Sequence, residues 1–364
     1  MVEMSYLKFA KNIFFKKKAM PVYLVVFLTE RCTARCRHCL LGGRIKHPDE
    51  LTLDEYRKFT KTLDPILFLL ITGGDVFLRD DLTDIIHAFY KKPGFLNLGI
   101  PSNGYLTDRI ISATEKILST CPEMDFAIDI SIDGLGEEHD NIRNTKGIFQ
   151  KAVETYKQLE KIEKRFPRFK VNIAVTISSY NHDKLDDLYE YLTKELKVKT
   201  INNLLVRGDP REDCAKDVDL EKYQELNIRL SNDSYCGVLP GYRGFMIADF
   251  INAMKLVRQK AIYRISKEDR MVYPCYAGQL SCVIYPDGDV QPCELIDHKM
   301  GNLREVNYDF RKIWFGIEKE TIVDWIKHNK CHCTYECFLT NSILFNISAY
   351  KDVLKELWQI KKRN

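Results

Sequence analysis

A chain of 364 residues with 45% apolar and 11% aromatic residues can build a large core, which excludes extended disorder. Its 55 Lys and Arg against 51 Asp and Glu leave a formal charge of +4, too small at this length to argue for a nucleic-acid partner. No run reaches the roughly 18 apolar residues of a membrane span, and Lys8, Lys11 and Lys16 to Lys18 break up the N-terminus, so it lacks secretory design.

In residues 1–20, Tyr6, Phe9, Ala10 and Ile13 recur at helical spacing beside lysines. This reads as a helix packed ahead of the first strand, with peripheral membrane contact as the alternative. From Val22 short apolar runs alternate with longer segments of helical period, at Val22 to Leu28, Ile66 to Ile71, Phe95 to Ile100, Phe126 to Ile132, Val171 to Ile177 and Ile201 to Val206. Each interval leaves room for a crossover helix, so six βα units are expected as parallel strands of a partial (β/α)6 TIM-like barrel, an α/β fold, over residues 21–265. Thr52 and Glu55 form a capping-box pattern opening one helix. Further helical patterns run from about Asp81 to Tyr90, Asp108 to Leu118, Phe149 to Arg165 and Lys184 to Leu196. Beyond Cys214 the alternation fades into a mixed connecting region. Residues 266–364 then read as a small cysteine-rich module with a C-terminal helix, its β-hairpin turning at Asp287-Gly288.

The 12 cysteines gather at 32–39 and at 275–337, a distribution of metal ligands in a reducing cytoplasm. Cys32-x3-Cys36-x2-Cys39 directly follows the first strand, where a barrel places its chemistry. Three thiolates leave one iron of a cubane open to another ligand, whereas structural zinc closes with four ligands and remains the competing reading.

This motif, with His38 before its last cysteine, resembles the radical S-adenosylmethionine (SAM) superfamily. Further matches lie at successive strand ends. Thr72-Gly73-Gly74-Asp75 is similar to the family's Gly-Gly-Glu motif with Asp in place of Glu, Ser102-Asn103-Gly104 to its Thr-Asn-Gly turn, and Ser131-Ile132-Asp133-Gly134 to its Ser-x-Asp-Gly segment. Asp140, Asn141, Arg143 and Gly147-Ile148-Phe149 look like its arginine loop. The resemblance implies a [4Fe-4S] cluster on Cys32, Cys36 and Cys39, whose open iron takes the amino and carboxylate groups of SAM. It makes Gly73, Gly74, Asp75, Asn103 and Ser131 cofactor contacts, with Arg143 neutralising the methionine carboxylate. It also implies reductive cleavage to a 5′-deoxyadenosyl radical that removes a substrate hydrogen, with flavodoxin or ferredoxin as electron donor.

Cys275-x12-Gly288-x4-Cys293 is similar to the auxiliary-cluster module called SPASM and to its shortened twitch form. The closing Cys331-x-Cys333-x3-Cys337 departs from the fuller Cys-x2-Cys-x5-Cys-x3-Cys pattern. One auxiliary [4Fe-4S] cluster is therefore expected, on Cys275, Cys293 and Cys337 with Cys333 or Cys331 as the fourth ligand. Cys282 falls where a strand wants an apolar residue and is either a ligand or a small buried hydrophobe. A zinc module remains the alternative for this group. Glu294, next to Cys293, is a candidate catalytic base by analogy with sulfatase-maturating relatives, a surface glutamate being the other reading.

The expected outcome is oxidation or cross-linking of a peptide or small molecule. The stretch before Cys32 shows no separate peptide-binding wing, which disfavours a ribosomal-peptide maturase. Three other readings stand beside it: a non-catalytic iron-sulfur carrier or sensor, addition of the adenosyl group to a lipid precursor, and a zinc-bearing nucleic-acid-binding protein, against which the near-neutral charge argues.

Overall fold

The first strand, β1 (Tyr23–Phe27), is buried on both faces, as a run of Tyr, Leu, Val, Val and Phe requires. It lies inside a nine-stranded sheet, between the second and seventh strands in chain order, described in a computed structural model that covers residues 6–16, 19–42, 49–241 and 248–363. Beside β1 run β2 (Ile66–Thr72), β3 (Phe95–Ser102), β4 (Asp125–Ser131), β5 (Phe169–Ile177) and β6 (Ile201–Leu205), all parallel. These are the six expected units, within two residues of the boundaries predicted from the sequence.

Helices cover the outer face. After α1 (Leu7–Ala10) come α2 (Leu53–Phe59), α3 (Leu82–Lys91), α4 (Thr107–Thr120), α5 (Glu137–Ile142), α6 (Ile148–Arg165) and α7 (Leu185–Glu190), whose last turn loosens into a π-type turn at Tyr191–Glu195. The capping box forms: the Thr52 hydroxyl accepts from Glu55 N, and the Glu55 carboxylate accepts from Thr52 N at 2.8 Å. On β4, Phe126, Ile128 and Ile130 are buried on the helical side while the residues between them are half-buried. This two-residue alternation leaves the concave face as a lumen.

Beyond β6 the fold differs from the sequence-based expectation in two respects. The connecting region holds two long helices, α8 (Leu220–Tyr235) and α9 (Ala248–Glu268), so residue 265 falls inside a helix. Their period is blurred because their buried faces carry Asn227 and Gln259, which bond through Asn203 of β6. The second difference is continuity. The hairpin strands β7 (Ser281–Ile284) and β8 (Asp289–Gln291) form as expected, but β7 pairs in parallel with β1, so the cysteine-rich part extends the barrel sheet, with β9 (Gly301–Asn302) at the edge.

The remaining helices are α10 (Phe310–Trp314), α11 (Ile317–His328), α12 (Glu336–Leu344) and α13 (Tyr350–Arg363). The first turn of α12 bridges the two ends of the six-stranded unit. Phe338 packs edge-on against Tyr23 of β1 at 6.3 Å, and Glu336 accepts from Leu205 N of β6 at 3.3 Å.

At the base of the barrel, Phe9 packs with Val22, Leu67, Leu280 and Phe345, and Ile13 joins them. The Tyr6 hydroxyl reaches Asn97 and Asp125. Phe9 and Ile13 of that face are thus spent on the protein, whereas Tyr6, Ala10, Phe14 and Phe15 stay exposed. Of the N-terminal segment, residues 1–5, 17 and 18 lie outside the described residues. No described helix is long and apolar enough to cross a membrane.

Candidate functional site

All twelve cysteines are free thiols. The loop carrying Cys32, Cys36 and Cys39 leaves the C-terminal end of β1 and is held by its backbone. Arg35 N and Arg37 N donate to the carbonyls of Arg143 and Ile142 at 3.2 and 3.0 Å, so the end of α5 presents its free carbonyls to the loop. From below, Gly74 N donates to Thr29 O and Asp75 N to Arg31 O, both at 2.8 Å.

This contact explains the two glycines. A Cβ on Gly73 would lie 2.3 Å from Thr29 O, and one on Gly74 would lie 2.2 Å from Arg31 O. They let the β2 turn reach the backbone just ahead of Cys32, and so set the height of the thiol loop. Gly74→Ala is expected to cost about 3 kcal/mol or more, because the obstacle is backbone that cannot rotate away. Iron bound by the first thiol group should fall with it, as a melting curve and an iron count would register; unchanged values for both would remove this role.

Asp75 is buried, accepting from Thr33 Oγ1 at 2.7 Å and from Phe77 N at 3.3 Å. Asn103 Nδ2 donates to the same Thr33 hydroxyl at 2.9 Å and stands 3.9 Å from Cys32 Sγ. Asp75, Thr33, Asn103 and Cys32 therefore form one chain of contacts, with Ser131 half-buried on the lumen side of β4. Desolvation raises the Asp75 carboxyl above its ordinary value.

Arg143 is placed differently from the sequence-based expectation. Its Nε and Nη2 grip Asp133 at 2.8 and 2.6 Å, leaving Nη1 toward Cys36 Sγ at 3.8 Å. The bidentate edge assigned to a methionine carboxylate is taken by Asp133, fully buried at the end of β4. Burial alone would push the Asp133 carboxyl up, but the fields of Arg143, His38 and His139 outweigh it and the net shift is downward. His38 Nε2 lies 3.7 Å from Asp133, so the ring turns from its cysteine neighbours to this carboxylate.

His139 Nδ1 accepts from Asp133 N at 2.9 Å, which requires an unprotonated Nδ1, and desolvation followed by Arg143 pushes its pKa down to about 3. The unfolded chain protonates this imidazole near 6.5, so stability falls as pH drops from there toward 3, by about 1.4 kcal/mol per unit. Denaturant titrations at pH 6.5 and 4.5 should show the native chain losing about 2 kcal/mol more than His139→Asn, which keeps an acceptor but does not titrate. Equal losses would mean the imidazole is not held neutral.

In the second thiol group Cys293, Cys331 and Cys333 all act on Cys275, although no three His, Cys, Asp or Glu among the described residues close on a single metal-ion position. The Cys275 thiol is raised by burial and then by Cys333, Cys331 and Cys293; Cys293 is raised to about 12 by burial and by Cys333. Cys337, in the first turn of α12, is raised to about 11 by burial and faces Tyr23, Arg207, Glu336 and Glu294. Cys282 stands apart. It is fully buried on β7 opposite Leu24, and its thiol is raised by desolvation with no contribution from another thiol, so it belongs to the core and not to the cysteine group. Cys121 is likewise buried, while Cys214 and Cys236 are exposed.

Glu294 is not a surface residue. It is 4% exposed and pairs with Arg207, whose Nε and Nη2 stand 2.8 and 2.7 Å from Oε1; Nη1 of the same arginine holds Glu336 at 3.0 Å. The Arg207 guanidinium also lies over the Tyr335 ring at 4.4 Å.

Arg207 begins a segment that sequence reasoning missed. Gly208, with φ of +68°, leaves room for Leu295 and Leu40, which follow Cys293-Glu294 and Cys39. Arg211 N donates to Cys39 O at 3.1 Å, and Glu212 pairs with Arg37 at 2.8 Å. Residues 207–212 thus touch both thiol groups. A cluster of charges around Gly208 and Pro210 after β6 was the available signal.

The donor sets suit cationic clusters. Burial pushes Cys36, Cys293 and Cys333 up to about 12, so these thiols stay protonated unless a bound cation stabilises the thiolates. Around the first group Ala34 N, Asn103 Nδ2 and Arg143 Nη1 already aim N–H groups at sulfur.

Residues 26–192 match the family described as the radical SAM superfamily, and residues 275–338 the iron-sulfur cluster-binding domain SPASM. The chain is 24% identical over 297 residues to the antilisterial bacteriocin subtilosin biosynthesis protein AlbA of Bacillus subtilis (strain 168), covering 80% of this chain and 59% of that protein. It is 23% identical over 290 residues to the sporulation killing factor maturation protein SkfB of the same organism, covering 79% and 63%. The chain thus spans about three fifths of the length of these curated relatives. Among solved structures, anSMEcpe with bound AdoMet superposes with a TM-score of 0.60 at 14% identity, covering 94% of this chain and 100% of that one. Streptococcus suis SuiB bound to S-adenosylmethionine gives 0.59 at 17%, covering 84% and 68%. At these identities the two structures are alike in fold.

Proposed function

The chain belongs to the radical SAM superfamily and carries a SPASM domain, and from that premise we propose that it is an enzyme that cleaves SAM reductively and passes the radical to a peptide substrate. The observation that carries this reading is the placement of Cys32, Cys36 and Cys39 at the mouth of a lumen, at one end of the contact chain through Asn103, Thr33 and Asp75. Cys32, Cys36 and Cys39 would hold a [4Fe-4S] cluster, which would supply the electron for reductive cleavage of SAM to methionine and a 5′-deoxyadenosyl radical.

The protein's own contribution is positional. Gly73 and Gly74 set the height of the thiol loop, Asp75 and Asn103 fix Thr33 beside Cys32, and the Arg143–Asp133 pair locks the loop's other side. Asp75 and the half-buried Ser131 are the groups in this reading that receive the amino acid part and the sugar side of SAM, while Arg143 Nη1 contributes positive charge near Cys36. Cys275, Cys293, Cys333 and Cys337 or Cys331 would hold one auxiliary cluster, with Glu294 tied to Arg207 at its edge as a positioning group and candidate base.

A peptide is favoured over a small molecule because the relatives are named for subtilosin biosynthesis and for maturation of the sporulation killing factor, and SuiB has been solved bound to its precursor peptide SuiA. This reverses the preference drawn from the short stretch before Cys32. A flavodoxin or ferredoxin is the electron donor in this proposal, in a reducing cytoplasm.

Anaerobic reconstitution with iron and sulfide, followed by SAM and dithionite, tests the reading. About eight irons per chain with 5′-deoxyadenosine formed is the expected result. Clusters without 5′-deoxyadenosine would favour the electron-carrier or sensor reading instead.

A further inference from the structure

The inner face of the barrel carries a carboxylate that takes no part in the SAM or thiol sites. Asp129 lies two residues before Ser131 on β4, on the same face of the strand. Around it the lumen-facing Leu70, Pro101, Thr176 and Leu204 are half-buried, whereas the alternate residues of β4 are sealed against the helices. The lining keeps contact with solvent, and at this level it combines the aliphatic Leu70, Pro101 and Leu204 with the polar Thr176, Asn172 and Asn202.

Asp129 is held on one side only. Its Oδ1 accepts from Asn172 Nδ2 of β5 at 3.0 Å and from Asn202 Nδ2 of β6 at 2.8 Å. Among the described residues Oδ2 accepts no hydrogen bond and takes part in no ion pair, and it is not one of the sealed unpartnered atoms, so it faces the lumen. Two amide donors on the first oxygen fix the plane of the carboxylate.

The surrounding charged groups are committed elsewhere. Lys255 on α9 donates to the Ile201 carbonyl, and desolvation pushes its pKa down to about 7. Arg258 donates to Thr340 at 2.9 Å. Asp125, one layer lower, is engaged by Tyr6 and by Arg168. The charge of Asp129 reaches Tyr23 of β1 and Lys255, neither of which bonds to it.

We propose that Asp129 is the recognition point for a cationic side chain of the substrate, an ammonium or guanidinium on an aliphatic arm that lies along Leu70, Pro101 and Leu204. This deepens the peptide reading, on which it rests, by naming the kind of residue the lumen accepts. A neutral arm would leave the carboxylate to water, and an acidic one would face its charge directly.

The test is binding, not turnover. Nα-acetyl-lysine N-methylamide and its norleucine and glutamate counterparts are titrated by ligand-observed NMR into the anaerobically reconstituted chain with SAM present. The lysine compound should bind at least about tenfold more tightly than the norleucine compound, and the glutamate compound more weakly still. Asp129→Asn should abolish the lysine preference while iron content and melting stay unchanged, and Asp125→Asn should retain it. Equal binding of the lysine and norleucine compounds to the native chain, or a preference that survives in D129N, overturns the proposal. The first of these needs no variant, so a misfolded D129N does not shield it. Formation of 5′-deoxyadenosine is measured on the same samples: its absence counts against the radical reading, whereas intact cleavage without lysine selectivity counts against Asp129 alone.

Discussion

Replacing Cys32, Cys36 and Cys39 together by Ala is expected to lower bound iron from about eight to about four per chain and to reduce 5′-deoxyadenosine formation to background. The loss should be confined to the first group because the loop is positioned by contacts that do not involve sulfur. Arg35 N and Arg37 N bond to the end of α5, Arg37 pairs with Glu212, and Gly74 and Asp75 bond to the backbone ahead of Cys32. The second group is anchored on β7, β8 and α12 and does not depend on those thiols. A triple variant that keeps about eight irons, or still forms 5′-deoxyadenosine, would show that the first group is not the reactive one.

Arg207→Met should be the most destabilising single change, by about 3–5 kcal/mol, because it leaves two carboxylates in the interior without their shared counter-charge. Glu294 and Glu336 have side chains only 4% and 6% exposed, and Arg207 itself is 13% exposed. Burial already raises the Glu336 carboxyl, with Arg207 as the main opposing influence. Without the arginine this group gains protons more readily when folded than when unfolded. The stability deficit should therefore be largest at neutral pH and shrink as the pH falls through the acid range. Denaturant melts at pH 7 and pH 5 measure this, and the triple change R207M with E294Q and E336Q should recover much of the loss. A deficit within about 1 kcal/mol for R207M would mean that water, not Arg207, compensates the two carboxylates.

The resemblance to the radical SAM superfamily was legible because it rests on short segments at strand ends, where neighbours in sequence are neighbours in space. Cys32 to Cys39, Gly73 to Asp75 and Ser102 to Gly104 each sit on one turn, so spacing alone reports their geometry. Arg143 shows where such reading stops. Its position on the loop was visible, but its partner Asp133 is held by the His139 ring of α5, and that partner takes the edge of the guanidinium the sequence had assigned to a ligand. Cys282 makes the same point among the thiols: strand alternation placed it equally well in the core or at a cluster, and the pairing of β7 with β1 decided for the core.

By itself, the sequence determined the six βα units, the Thr52–Glu55 cap, the Asp287-Gly288 hairpin and the two cysteine groups. Each of these is encoded by apolar period, turn chemistry or spacing within a few residues. Only the tertiary structure decided that the hairpin continues the barrel sheet, that residues 207–212 join the two thiol groups, that α12 bridges β1 and β6, and that Asp129 faces the lumen with one oxygen held. These rest on contacts between segments far apart in the chain, such as Arg207 with Glu294 and Glu336 or Tyr23 with Phe338. Such pairings are selected by mutual burial and charge balance in the folded core, and no local pattern carries them.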